Sequence, residues 1–232
     1  MKEIAILMAA GLGQRMRPLT ESTAKPLLKV GDKALVETVI DALRERGVSE
    51  IYIVVGYKKE QFAALAEKYP CVRLVENADY AVKNNINSIA VAAKEMASAD
   101  CFVCEADLFV SDRKLLCRKL EKSGYFGKMV KGHSDDWVFG VERGRIVRVG
   151  KGGDDCYNMV GVSYFKQGDA KKIAEAVCEA VRKPDASRLF WDEVVDGLCR
   201  ENLDLVVHEV GADEIVECDT VRELEELRAK VG

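Results

Sequence analysis

The chain has 232 residues, 48% of them hydrophobic, enough for a continuous core at roughly 150 residues per domain. Its 35 Lys and Arg against 39 Asp and Glu leave a formal charge of −4 with no basic block. That excludes a nucleic-acid binder whose affinity rests on phosphate neutralisation. No apolar run approaches the roughly 20 residues of a membrane span, and the N-terminal run is too short for a secretory signal. Eight cysteines scattered through apolar segments predict a reducing, cytoplasmic setting rather than a disulfide scaffold.

In chain order, short apolar runs alternate with amphipathic segments, the pattern of a parallel α/β sheet. Ile4 to Met8 is a buried strand, followed by a Gly-rich charged stretch from Gly11 to Gly31. Residues 34–46 put Leu35, Val36, Val39, Ile40 and Leu43 on one helical face, with Gly47 as the stop. Strands follow at Ile51 to Val55, Val72 to Val75 and Cys101 to Cys104; helices are expected at Lys58 to Lys68, Ile86 to Met96 and Asp112 to Lys122. Past about residue 125 the pieces become short and β-like: Val138 to Glu142, Arg145 to Val149 and Asn158 to Phe165. Helices at about 169–182 and 188–200 come next, then strands at Leu205 to His208 and Glu214 to Cys218. The last helix opens at Thr220 with the capping-box pattern Thr220…Glu223. The expected organisation is a single domain, 1–232, with a nucleotide-binding half, 1–124, and an acceptor-binding half, 125–232.

The most informative stretch is Ala9-Ala10-Gly11-Leu12-Gly13-Gln14-Arg15-Met16-Arg17-Pro18, with Lys25-Pro26 shortly after. A strand leading into a glycine loop and then basic residues suits phosphate binding, because glycines let backbone N–H groups approach anionic oxygens. No Gly-Lys-Ser/Thr closes a P-loop, and Met16 stands where a dinucleotide fingerprint needs its third glycine. Cys101-Phe-Val-Cys104 has Cys-x-x-Cys spacing but lies in a strand, where residues three apart face opposite ways. It is read as packing.

The ordered run Ala-Ala-Gly-x-Gly-x-Arg-x-x-Pro-x-Thr resembles the nucleotidyltransferases that make nucleotide-sugars and related activated alcohols. Val55-Gly56-Tyr57-Lys58-Lys59-Glu60-Gln61-Phe62, Tyr80 with Asn84-Asn85, Gly161 to Phe165, Phe190-Trp191-Asp192 and Glu217-Cys-Asp219 extend the likeness to bacterial CTP:phosphocholine cytidylyltransferases. The resemblance implies a Rossmann-like three-layer α/β fold, with a mixed, mostly parallel sheet and a small β-rich C-terminal elaboration. Two positions depart from the family pattern. Ala24 replaces the usual proline before the lysine, at some cost in loop rigidity, and Glu105-Ala106-Asp107 replaces Asp-x-Asp, leaving the role of Glu105 open.

Asp107 and Asp219 each follow a strand, at the carboxyl ends where open α/β sheets bind ligands. Each could instead cap the helix after it. The resemblance implies that they hold Mg²⁺, that Arg15 lies on the leaving phosphates of CTP, and that Lys25 lies near the attacking and α-phosphates. Joining two anions needs such cations: a like-charge pair at ~4 Å costs about 4 kcal/mol at an effective dielectric of ~20. No general base is required, because a phosphomonoester with a second pKa near ~6 is already ionised. Cytosine would be read by the backbone of Ala9 to Gly13 and by Asn84, Asn85 and Ser88, with helix capping as the asparagines' other reading. Trp137, Tyr164 and Trp191, with Asp192 or Glu193, could cage a quaternary ammonium, or could simply be packing residues.

The implied partners are CTP and a small phosphorylated amino-alcohol, phosphocholine being favoured, in a monomer or homodimer. 2-Aminoethylphosphonate, phosphoethanolamine or a sugar 1-phosphate stay open as acceptors. Outside this class stands a non-catalytic nucleotide-sensing module.

Overall fold

Strict alternation along the first strand, β1 (Glu3–Ala9), sets the layering. Ile4 and Ile6 enter one hydrophobic cluster, Ala5 and Leu7 the other. The computed structural model describes residues 2–232. Its other elements are α1 (Leu19–Ser22), β2 (Lys29–Val30), β3 (Lys33–Ala34), α2 (Leu35–Arg46), β4 (Glu50–Val55), α3 (Ala63–Lys68), β5 (Val72–Glu76), α4 (Ile86–Val91) and α5 (Ala93–Met96). Then follow β6 (Asp100–Glu105), β7 (Leu108–Val110), β8 (Gly124–Glu142), β9 (Arg145–Phe165), α6 (Gln167–Ala180), α7 (Trp191–Arg200), β10 (Val206–Glu209), β11 (Ile215–Glu217) and α8 (Val221–Val231).

Seven strands form the main sheet in the order β10-β8-β9-β6-β1-β4-β5, parallel except that β9 runs against both neighbours. α2 covers one face with Val36, Val39, Ile40 and Leu43, packed on Leu7, Ile53 and Phe102. α4, α6 and α7 cover the other, Ile89, Ile173 and Val195 meeting Ile6, Cys101 and Val103. Each such fully buried aliphatic side chain contributes about 2 kcal/mol. The chain leaves β1 toward β4 and β5, then crosses back to place β6 on the other side. The resulting switch between β1 and β6 opens a crevice at their carboxyl ends.

α2 follows the sequence pattern, ending at Gly47 with φ 90°. So does the α8 capping box, in which Glu223 N–H donates to Thr220 Oγ1 and Thr220 N–H donates to Glu223 Oε2. Cys101 and Cys104 face opposite layers, and all eight cysteines are free. The expected helix at 112–122 is instead a short 3₁₀ turn, Leu115–Cys117. Arg46 Nη1 donates to the carbonyls of Leu116 and Arg118, taking acceptors that a helix would need. The expected helix at 86–96 is broken at Ala92, and the one at 58–68 begins as a 3₁₀ turn over Lys59–Phe62. The three short strands past residue 125 are parts of two long, bent ones, β8 and β9, whose register shifts repeatedly between Tyr125 and Val141. β7 was not expected at all. It pairs antiparallel with β11, opposing Leu108 to Glu217.

Candidate active site

The glycine loop closes over the end of β1 and is anchored at both flanks. Met16, standing where a third glycine would have been needed, is fully buried against Leu28, Leu35 and Cys218. It therefore fastens the loop to the segment that carries Asp219. Ala24 donates its N–H to Gln61 Oε1 at 2.8 Å, while Gln61 Nε2 donates to the Ser22 carbonyl. A proline at 24 could make no such bond, so the rigidity expected to be lost is supplied from the neighbouring strand's loop.

Two strand ends bring the carboxylates together. Glu105 ends β6, Asp107 follows it, and the Asp107 carbonyl accepts from Cys218 N at 3.3 Å. Lys25 Nζ lies 2.5 Å from Asp107 Oδ2 and 2.7 Å from Asp219 Oδ1; Arg15 Nη2 donates to the same Asp219 oxygen at 2.7 Å. Glu223 accepts from the Asp219 N–H, so the helix cap also holds this carboxylate's backbone. The acidic pair thus converges as expected, and Asp219 is not the cap of α8; Thr220 is.

Glu217 was missed. It belongs to the quoted Glu217-Cys-Asp219 run, yet nothing in its spacing marks it; only the β7–β11 pairing brings it to Glu105 and Asp107, ligand atoms within 4.8 Å of one another. Four carboxylates face two cations here. Removal from water, then the charges of Asp107 and Asp219, push Glu217 up to about 8, and burial with Glu217 and Asp107 beside it raises Glu105 well above the usual range. Burial alone would lower Lys25, but Asp107 and Asp219 outweigh it and hold the ammonium charged. Gly161, at φ 74°, makes room for Glu105, because a Cβ there would stand 3.0 Å from Glu105 Oε2.

A cleft of about 310 Å³ runs from these carboxylates past Ala10 and Gly11 to Asn84, Asn85 and Ser88. An adjoining one takes in Ala9, Gly13 and Arg15. Leu12 lines neither. The asparagines do not cap α4, which has no side-chain cap. Asn84 Nδ2 donates to the Arg188 carbonyl and Asn85 Oδ1 accepts from Trp191 N at 3.0 Å, tying the cleft wall to α7. Buried Asn77 and half-buried Tyr80 also face the cleft and were not anticipated. Tyr80 lies so close over Gly56 that a Cβ there would come within 2.6 Å of its ring.

The aromatic cage does not form as a set. Tyr164 points into the opposite layer from Trp191, its hydroxyl on Asp100 at 2.9 Å; its neighbour Phe165 is the ring that meets Trp191. One residue along a strand reverses the face. Trp191 is 3% exposed and stacked on Tyr125. Trp137 packs edge-on to Phe190, and Lys151 Nζ stands 5.9 Å from both rings. Glu193 is exposed and caps α7 by accepting from Phe190 N. Asp192 is buried, held by the Tyr125 hydroxyl at 3.2 Å, and lines a small cavity shared with Glu105, Met8 and Met159. Burial pushes its carboxyl up to about 7.

A Rossmann-like crevice with a glycine loop, two cations and converging carboxylates defines a nucleotide-handling site. Residues 5–147 match the MobA-like NTP transferase domain, and the chain belongs to that family. It is 50% identical over 224 residues to a 2-aminoethylphosphonate cytidylyltransferase of Lancefieldella rimae, covering 96% of this chain and 91% of that one. It is 37% identical to a choline-phosphate cytidylyltransferase of Streptococcus pneumoniae, covering 96% and 97%. A solved CTP:phosphocholine cytidylyltransferase from Streptococcus pneumoniae superposes over the whole of both chains with a TM-score of 0.91 at 33% identity. The chain is thus an enzyme, a nucleotidyltransferase of the cytidylyl-transferring kind. No described helix is long and apolar enough to cross a membrane.

Proposed function

We propose that this enzyme transfers CMP from CTP to a phosphonate or phosphate bearing a primary amine, with 2-aminoethylphosphonate as the favoured acceptor. An acceptor oxygen attacks the α-phosphorus in line; its new P–O bond replaces the bond to pyrophosphate, which leaves. The acceptor oxygen is already ionised, so positioning and charge stabilisation carry the reaction. Arg15 takes the leaving phosphates, and Lys25 the charge growing at the α-phosphate. The backbone of the Ala9–Gly13 loop and Asn84, Asn85 and Ser88 hold the nucleotide.

The oxygen-only donor set suits Mg²⁺, which favours a few carboxylates with phosphates and water. Asp107 and Asp219 would hold it, since one oxygen of each takes no protein hydrogen bond; the carboxylates whose oxygens lie within 4.8 Å of one another are Glu105, Asp107 and Glu217, so Asp219 would join from outside that group. Bound there, the ion would neutralise phosphate charge.

One observation carries the choice of acceptor: the ring faces are occupied while a buried carboxylate remains. A quaternary ammonium has no N–H and relies on open aromatic faces. Here Tyr164 faces away, Trp191 is covered by Tyr125, and Lys151 stands by Trp137 and Phe190. Asp192, with one side-chain partner, suits an ammonium that donates hydrogen bonds. The 50% identical relative supports the same acceptor. Phosphocholine is the second reading, supported by the 37% identical relative and the superposed structure. Pyrophosphate release from CTP with 2-aminoethylphosphonate, phosphoethanolamine and phosphocholine decides between them. The expected kcat/KM order follows that sequence, and a higher value for phosphocholine overturns the choice.

A further inference from the structure

The cleft wall opposite the glycine loop holds three buried polar side chains, Asn77, Asn87 and Ser88, exposed by 1%, 6% and 4%. Their hydrogen bonds have a fixed direction. The backbone N–H of Asp79 donates to Asn77 Oδ1 at 3.1 Å, and a backbone N–H can only donate. That settles which end of the Asn77 amide is oxygen. Asn87 Nδ2 donates to the same oxygen at 2.6 Å. The Asn77 nitrogen must then face Ser88, where Nδ2 donates to Oγ at 3.2 Å. The main chain of Asn77 is fixed as well, its N–H donating to the Val55 carbonyl at 2.8 Å.

A hydroxyl that accepts from an amide keeps its single proton for another acceptor. No protein acceptor among the described residues takes the proton of Ser88; its Oγ bonds only to Asn77. Both residues line the cleft, on the wall that also carries Asn84 and Asn85. We infer that Asn77 is a positioning residue that, by donating to Ser88, keeps the Ser88 proton free to be donated to an acceptor atom of the cytosine ring. The inference rests on the proposed use of CTP, and assigns Asn77 a role that it performs without touching the nucleotide. Were residue 77 an acceptor instead, the Ser88 proton would be spent on it and only lone pairs would face the cleft. Cytosine's ring nitrogen and carbonyl oxygen are acceptors, so only the donor orientation binds them.

The test reverses the polarity without changing shape. Asn77→Asp keeps an oxygen for the Asp79 N–H but turns a second acceptor on Ser88, which must then donate its proton to residue 77. Asn77→Asp is expected to raise KM and Kd for CTP about tenfold, with kcat nearly unchanged. Ser88→Ala should cost about the same, and Asn77→Asp should not add to that loss in the Ser88→Ala background. Thermal unfolding of each variant separates lost binding from lost folding. Unchanged CTP affinity in a folded Asn77→Asp, or a loss that adds to that of Ser88→Ala, overturns the inference. A wild-type enzyme that does not turn over CTP overturns the proposed function instead, so the two failures are distinguishable.

Discussion

The two ends of the central sheet carry similar charges to opposite effect. At the amino end, Glu3 and Asp100 face Arg46 and Lys166 one for one. Arg46 binds Glu3 through two nitrogens at 2.7 and 2.8 Å, and Lys166 lies 2.9 Å from Asp100. Tyr164 and the Gln167 N–H complete the Asp100 shell. Burial alone would raise the Asp100 carboxyl, but these partners hold it below its ordinary value. At the carboxyl end, the four carboxylates Glu105, Asp107, Glu217 and Asp219 share the ion pairs of two cations, Lys25 and Arg15, and Glu217 and Glu105 are pushed upward instead. A balanced cluster stabilises the fold; an unbalanced one is kept for something that binds. Charge surplus, rather than charge count, separates the two ends.

Disrupting the surplus should abolish function first. Asp107→Asn or Asp219→Asn is expected to lower kcat for pyrophosphate release by about 10³-fold or more, and Lys25→Met by about 10²–10³-fold. Unfolding temperatures should hardly fall, since each aspartate change relieves crowding. Near-normal turnover in either aspartate variant would remove that residue from the proposed metal site. The mirror experiment lies at the balanced end. Arg46→Ala strands Glu3 and frees two carbonyls, and should cost about 3 kcal/mol in denaturant unfolding while leaving kcat within twofold.

A smaller effect tests the cation directly. Millimolar Mg²⁺ should raise the unfolding temperature of the wild-type chain by a few degrees, because a ligand that binds only the folded state stabilises it. Asp107→Asn should lose that shift, and chelation should stop turnover. A pH-dependent effect concerns Asp192, held at about 7 in the fold against an ordinary 3.8. Its contribution to stability is fully present below 3.8 and is lost as pH rises through about 7. Asp192→Asn should therefore flatten the stability profile between those values, as urea midpoints across that range would reveal.

The same contrast governs what could be read in advance. The glycine loop, Arg15 and Lys25 were legible because they lie in one short stretch of chain that follows a strand. The switch-point rule then placed Asp107 and Asp219 at one end of the sheet. Glu217 was quoted within a motif but assigned nothing, since its place depends on a strand, Leu108–Val110, that carries no pattern of its own. Tyr164 and Phe165 are adjacent aromatic residues, and only the register of β9 on β6, Tyr164 opposite Phe102, says which faces Trp191. The helix expected at 112–122 failed for a non-local reason: Arg46, some seventy residues away, claims its carbonyls.

By itself, then, the sequence determined the alternating α/β layers and the glycine loop, because hydrophobic period and local backbone chemistry act over a few residues, and it implied the class of chemistry through the likeness of its motifs to a family. Tertiary structure decided the carboxylate surplus, the dispersal of the aromatic cage and the direction of the Asn77–Ser88 hydrogen bond. Each of these depends on which distant strands meet and in what register, and a shift of one residue reverses every side chain involved.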